Sequence, residues 1–372
     1  MFHIKNRMRL PFSTTPLSLV LILSPMLLCF LISFQLFFHK ETLFYSSSQR
    51  QFRSDDGLYY YTPPHYNDSS LDVRNFVYTG VCNKVFKYKP NNRRDLWLTA
   101  VGFRDELYWQ NIKKDTRLAF GLSQSSIPSA DRVSLLLEGL QFDEFYSAAK
   151  QYGVRVEVVK FTKDGQDATR RFLAYLDFLK KNKGKYDRVL ISDQRDVFIF
   201  ADFFSTFSQD DLIFAAECEY GGVNCIRFDE INNFKAIEQA YGVDEANRFK
   251  NNRSILINVG TVFGGVDRVE KYLERMVSNI DEKEWGRWYY DQALHNHVFY
   301  TYYYNNKLEN ITVETCTQRF CFREKNTIVY NKVRKTLKTK NTGCSPVLRH
   351  KIAAKGFYID ADWYKGKLNI IK

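Results

Sequence analysis

Between residues 95 and 200 the chain alternates two kinds of hydrophobic pattern. Apolar or alternating runs cover Leu96–Val101, Arg132–Leu137, Val154–Phe161 and Asp187–Ser192, each of strand length. Phe172, Leu173, Leu176 and Leu179 recur at helical spacing within Ala168–Lys181, and Phe142–Gln151 follows a helical pattern as well. Strands and helices in alternation predict right-handed crossovers and a mostly parallel central sheet flanked by helices, an α/β fold. Leu212–Ala216 and Ile255–Ile257 read as further strands, and no internal repeat is present. The ordered pattern begins near residue 94, so one large domain over 94–372 is expected.

The N-terminal pattern is different. Leu17 through Phe38 is an uncharged apolar stretch, long enough for the about 20 residues that a bilayer crossing needs. Lys5, Arg7 and Arg9 precede it, and residues 1–40 contain no Asp or Glu. The positive-inside rule then predicts a cytoplasmic tail over 1–16, a signal-anchor over 17–38 and a lumenal remainder. A cleaved signal peptide would have a shorter apolar core and end at small residues, whereas this one runs into Phe37-Phe38-His39-Lys40. Residues 39–93, rich in Ser, Tyr, Asn, Asp and Pro without periodicity, read as a stem. That layout predicts a single-pass type II protein of the Golgi membrane. The endoplasmic reticulum is the second choice, because Asn369–Lys372 is not a Lys-Asp-Glu-Leu-like signal.

Cysteine usage agrees with a lumenal compartment. Cys29 lies within the apolar stretch, and the other six are an even number, compatible with three disulfides. The short spacings favour Cys218–Cys225 and Cys316–Cys321, and the lack of any Cys-x-x-Cys argues against structural zinc. Asn67, Asn252 and Asn310 open glycosylation sequons. The net charge of +12 is spread along the chain, with one basic cluster over 332–340, so nucleic acid is not an expected partner.

Candidate chemistry gathers at strand ends. Asp193 and Asp196 follow the run Arg188–Ser192 directly, and the end of a strand is where open α/β sheets bind ligands. Two carboxylates there suit a hard divalent cation, although Asp also favours plain turns after strands. Asn258-Val259-Gly260 and Gly264-Gly265 follow Ile255–Ile257, as a glycine-rich turn or as a place where backbone comes close to a ligand. Asp291-Gln292 opens an amphipathic stretch, as a helix cap or as a carboxylate and amide over the same cleft. His295 and His297 form a His-x-His pair in helical context, which does not favour metal binding. His350 ends a late strand-like run, and an imidazole added to two carboxylates suits Mn²⁺. No Gly-x-Gly-x-x-Gly follows the first strand and no P-loop motif occurs, so a metal must neutralise any bound diphosphate.

The series Asp193-Gln-Arg-Asp196, Ala215-Ala216-Glu217, Leu256-Ile257-Asn258-Val259-Gly260, Asp291-Gln292 and Val347-x-x-His350 resembles the nucleotide-sugar glycosyltransferases of the GT-A fold. It is most similar to the glycosyltransferase domain of procollagen lysyl hydroxylase/glucosyltransferase proteins and, in outline, to the retaining family 8 transferases. The likeness covers roughly residues 95–360. It implies a single GT-A (nucleotide-diphospho-sugar transferase) domain with a Rossmann-like sheet. It implies that Asp193, Asp196 and His350 bind Mn²⁺, and that Thr99, Asn258 and Gly260 contribute to donor binding. Asn258, Asp291 and Gln292 would face the sugar or acceptor as catalytic groups, and Arg170 or Arg171 would reach the donor phosphates. The implied activity is retaining transfer of galactose or glucose from a UDP-sugar to a hydroxyl of a glycan or glycoprotein. Val259 and Tyr290 depart from the family pattern, which has Ser and an acidic residue there. Two other classes remain open: an inactive lumenal nucleotide-sugar or glycan binder of the same fold, and a metal-dependent phosphohydrolase.

Overall fold

The computed structural model describes residues 80–350 except 162–164, 219–221, 223, 305–309, 317–318, 323–327, 332–335 and 340–346, together with Phe52–Arg53 and Tyr59–Tyr60. The expected tail, anchor and most of the stem lie outside these residues. Among the described residues no helix is long and apolar enough to cross a membrane.

The strands predicted between residues 95 and 216 and both predicted helices are present in order, and Glu106–Ser126 adds a helix that the pattern did not predict. β1 (Phe52–Arg53) and β2 (Tyr59–Tyr60) form a small antiparallel pair. Then come β3 (Asp95–Val101), α1 (Glu106–Ser126), β4 (Asp131–Leu137), α2 (Asp143–Gln151), β5 (Arg155–Val159), α3 (Asp167–Lys181) and β6 (Arg188–Asp193). β7 (Val197–Ile199), β8 (Leu212–Ala216), α4 (Ile231–Tyr241), α5 (Val243–Asn251), β9 (Ile257–Gly265), α6 (Val266–Ser278) and α7 (Tyr290–Val298) follow. The last elements are β10 (Ile311–Glu314), β11 (Phe320–Phe322), β12 (Ile328–Asn331), β13 (Thr336–Thr339) and β14 (Leu348–His350).

The main sheet has the order β10-β8-β9-β6-β3-β4-β5. Every pairing in it is parallel except those of β9, which runs against both β6 and β8. A reversed strand enters the sheet where its neighbours leave it. The first residues of β9 therefore lie at the carboxyl ends of β6 and β8, with Thr261 opposite Ser192. This corrects the sequence reading, in which Asn258–Gly260 followed a strand that ended at Ile257. The glycines belong to the strand itself. A Cβ on Gly264 would collide with the Asp211 carbonyl, so the close neighbour explains the missing side chain.

Both faces of the sheet are covered, which is why the strands read as near-continuous apolar runs. Trp97, Leu136, Leu190, Ile213 and Phe263 point into one core with α1 and α2. Leu96, Leu98, Val133, Val189, Phe214 and Val262 point into the other, beneath α3, α6 and α7. A second sheet, β11-β14-β7, packs beside the main one and pairs β14 antiparallel to β7. Two of the expected disulfides are present, Cys218–Cys225 and Cys316–Cys321. Asn252 and Asn310, of the sequons, are exposed.

Residues 83–92, expected in the stem, pack on the domain. Lys87 and Tyr88 donate to the Ser205 carbonyl at 3.0 and 2.9 Å, and Asn91 donates to Asp202 at 2.8 Å. The buried Arg188 guanidinium organises this corner. It grips Asp95 through Nε and Nη2, both at 2.7 Å, and also meets the carbonyls of Lys89, Pro90, Phe204 and Phe207. Removing one member of a buried pair strands the other charge. Arg188→Met is therefore expected to cost about 3–5 kcal/mol in urea unfolding. The double variant Asp95→Leu/Arg188→Met is expected to recover part of that loss. A single-variant cost below about 1 kcal/mol would remove the pair from this role.

Candidate functional site

Three chain segments far apart in sequence meet at the carboxyl end of β6. Asp193 is the last residue of β6 and Asp196 closes the short turn into β7. β14 pairs with β7 so that His350 lies opposite Val197, and that register alone sets the imidazole beside Asp196. His350 Nε2 is 3.2 Å from Asp193 Oδ2 and 3.4 Å from Asp196 Oδ1. The imidazole is fully buried and Asp196 nearly so.

The other face of the imidazole fixes its tautomer. His350 Nδ1 lies 2.9 Å from Asn258 Oδ1 and 3.4 Å from Thr261 Oγ1. Asn258 Nδ2 donates to Glu217 Oε1 at 2.9 Å. A carboxylate only accepts, so the amide nitrogen must face Glu217 and the amide oxygen must face the ring. Nδ1 thus carries the proton that Asn258 accepts. The Nε2 lone pair is left facing two carboxylates. Three electron-rich atoms turned toward one point need a positive charge among them, either a proton on Nε2 or a cation.

The donor set fits a divalent ion. One ligand atom each from Asp193, Asp196 and His350 lie within 4.8 Å of one another. Neighbouring ligands about 2.1 Å from a common ion are about 3 Å apart, close to the separations observed. Gly260 makes the room: a Cβ there would stand 2.5 Å from both Asp193 Oδ2 and His350 Cε1. Carboxylates with one imidazole suit a borderline cation such as Mn²⁺. The residues present therefore fit a divalent metal of the kind that the sequence implied.

A cleft of about 540 Å³ lies beside this trio and reaches it at Asp193; Arg171, Glu217, Asn258, Gly260 and Asp291 are among its other lining residues. Arg171 is mostly buried and spans two carboxylates, donating through Nη1 to Asp193 Oδ1 and through Nη2 to Asp291 Oδ2 at 3.0 Å. Burial opposes its charge, but Asp193 and Asp291 outweigh burial and raise its pKa. Arg170 instead pairs with Asp167 and lies over the Phe161 ring. Of the two arginines, only Arg171 reaches the cleft.

Gln292 lines the cleft, yet both ends of its amide are engaged by the start of β9. Its Oε1 accepts from Val259 N at 3.2 Å and its Nε2 donates to the Ile257 carbonyl. Asn296 completes the clamp, accepting from Ile257 N and donating to Ile257 O, each at 2.9 Å. Gln292 and Asn258 therefore hold other groups in place. Thr99 is not brought to the site. It is fully buried within β3, with its hydroxyl on the Val133 carbonyl at 3.4 Å, and the cleft begins one residue later at Ala100. The reason is reach: the open end of the sheet lies beyond Thr99, at Ala100–Gly102.

His295 and His297 diverge, as their helical context implied. His295 is buried in the core, 2.7 Å from the Tyr272 hydroxyl, while His297 stacks on Tyr241 and pairs with Glu245 at 3.0 Å. The sequence reading gave no role to Glu217, Thr261 or Asn296. Glu217 had a signal available, since it follows the apolar run Leu212–Ala216 as Asp193 follows the run Arg188–Ser192. Thr261 lies within an apolar stretch and Asn296 between two histidines, and neither had one.

No family model matches the chain, and no curated protein matches it. Among solved structures it is similar to the glycosyltransferase GlyE of Streptococcus pneumoniae TIGR4, with 14% identity and a TM-score of 0.35. The match covers 60% of this chain and 45% of GlyE, less than half of that protein's length.

Two outcomes are expected from this geometry. Asn258→Ala frees the imidazole, and loss of an outer partner of a metal ligand typically weakens binding about 10–100-fold. Mn²⁺ titration by calorimetry checks this; unchanged affinity would show that the Glu217–Asn258 pair does not orient His350. The second concerns acid. Burial, aided by the Arg171 charge, pushes His295 from its ordinary 6.5 down to about 3. The unfolded chain then binds that proton more readily than the folded one. The contribution to stability is full above pH 6.5 and is lost as pH falls toward about 3. Urea midpoints recorded from pH 7 to 4 are expected to fall, and to fall less in His295→Gln.

Proposed function

We propose that this chain is a glycosyltransferase that moves a hexose, galactose or glucose, from a UDP-sugar to a hydroxyl of a glycan or glycoprotein acceptor. One observation carries the proposal. Asp193, Asp196 and His350 converge beside a cleft that Asp193 lines, at the strand ends where α/β sheets take their ligands. The motif resemblance assigns this same trio to Mn²⁺. A bound divalent cation would neutralise the charge that develops on a departing UDP.

The chain's own groups account for the rest. Glu217 and Asn258 hold His350 in the tautomer whose Nε2 faces the carboxylates. Arg171 is the one guanidinium that bridges these carboxylates among the described residues, and it offsets the charge of Asp193 and Asp291. Asp291 is thereby fixed over the cleft, 3.0 Å from Arg171, where it can accept hydrogen bonds from sugar hydroxyls. Gln292 and Asn296 lock the backbone at Ile257–Val259, which keeps Gly260 against the trio. Gly260 in turn leaves the space that any side chain would fill. In transfer, the acceptor oxygen forms a bond to the anomeric carbon as the bond from that carbon to the UDP oxygen breaks. The acceptor proton leaves with UDP. The resemblance favours attack from the face that UDP departs, hence retention.

A phosphohydrolase with paired metals fits less well, since such sites need a second ligand cluster. Among the described residues the Asp193/Asp196/His350 group stands alone. The layout of anchor, stem and catalytic domain expected from the sequence suits a type II protein of the Golgi membrane.

The lumenal part, offered a panel of nucleotide sugars with Mn²⁺, is expected to release UDP from UDP-galactose or UDP-glucose. Chelation of the metal is expected to stop release. Asp196→Asn is expected to lower kcat at least about a hundredfold with the unfolding midpoint retained. Unimpaired turnover in that variant would contradict the assignment.

A further inference from the structure

Trp288 and Tyr289 break the usual logic of burial. They are 64% and 43% exposed, yet both line the cleft that holds Asp193 and Asp291. Their rings meet edge to face at 6.0 Å. Tyr289 has φ 71°, the left-handed region that a residue with a side chain rarely adopts outside special sites.

The segment that carries them is braced. Trp285 O accepts from Gln166 N at 3.3 Å, which ties the segment to the start of α3. Arg287 N donates to Glu284 O at 2.9 Å, and the Arg287 guanidinium pairs with Glu284 at 2.6 Å. The buried Tyr290 receives Asp281 N on its hydroxyl at 2.7 Å. An indole held outward by a braced turn, through a strained residue, gains the fold nothing. It suits a ligand.

We infer that Trp288 and Tyr289 form the acceptor subsite of the cleft and that the acceptor is a pyranoside whose ring stacks on the Trp288 indole. This rests on the sugar-transfer reading above. A pyranose offers a flat face of C–H bonds to an aromatic ring and hydroxyls around its edge. The polar groups next to the indole match that edge: Asp291 lies three residues on, and Glu217 lines the same cleft. Both accept hydrogen bonds from neutral hydroxyls. An extended peptide would instead need a row of backbone partners, and an apolar side chain would need a concave pocket, whereas Trp288 stands on an exposed lip. The stacked ring would share one cleft with Asp193 and Asp291, beside the proposed donor site.

The test is a tryptophan-fluorescence titration of the full chain in detergent. The probes are the methyl pyranosides of glucose, galactose, mannose and xylose, and, separately, serine- and threonine-bearing peptides. At least one pyranoside is expected to quench the wild-type signal, with Trp288→Ala abolishing that response and Trp288→Phe retaining most of it. In turnover, Trp288→Ala is expected to raise the KM for a pyranoside acceptor about tenfold and leave UDP binding with Mn²⁺ unchanged. The inference is overturned if no pyranoside quenches, if quenching survives in Trp288→Ala, or if peptides quench in their place. Should wild type fail to bind UDP with Mn²⁺ while Trp288-dependent quenching persists, the sugar-transfer reading falls and the saccharide site stands.

Discussion

The site depends on one proton, the one on His350 Nδ1. Glu217 turns the Asn258 amide, the amide oxygen takes that proton, and Nε2 is left as a lone pair aimed at Asp193 and Asp196. Such a cluster repels itself unless a positive charge joins it. Nearby, Asp193 and Asp291 already share Arg171, so the cleft carries more carboxyl groups than buried cations. A divalent ion would balance the set, and a cleft that held one would attract a ligand with negative oxygens. The proposed function rests on this balance.

The fold delivers those groups by two departures from a plain parallel sheet. β9 is reversed, so Asn258 and Gly260 arrive at the exit ends of β6 and β8, where Asp193 and Glu217 already stand. The three-residue strands β7 and β14 then zip Asp196 and His350 together across more than 150 residues of sequence. The Cys218–Cys225 disulfide begins one residue after Glu217, and the Glu217 backbone is held by Leu256 O and Ile226 N at 2.9 and 2.8 Å. The acid that starts the relay is therefore mounted on a rigid support. This rigidity suits a site in which a small tilt of one ring would misdirect the lone pair.

Much of this was legible in the chain, and the rest was hidden for physical reasons. β3, β4, β6 and β8 are buried on both faces, and their runs of Leu, Val, Ile and Phe gave them away. α1 went unread because its buried side includes Thr116, Gly121, Ser123, Ser125 and Ser126, which blur the apolar stripe. The direction of β9 is a long-range property, and its glycines mimic a turn because close neighbours, not a bend, exclude side chains. Asp193 and Asp196 stood out at a strand end. Asn258 and Gln292 were visible as candidates, but their roles as clamps depend on partners that only folding supplies. Thr99 was misplaced by the same limit, since a residue's depth within a strand is set by where the sheet ends.

The most direct test of the central claim is the nitrogen coupling of Mn²⁺ bound to the full chain, read by pulsed electron paramagnetic resonance. One directly bound imidazole nitrogen is predicted, and it should vanish in His350→Gln. An all-oxygen signal in wild type, or a nitrogen coupling that persists in the variant, would contradict the account.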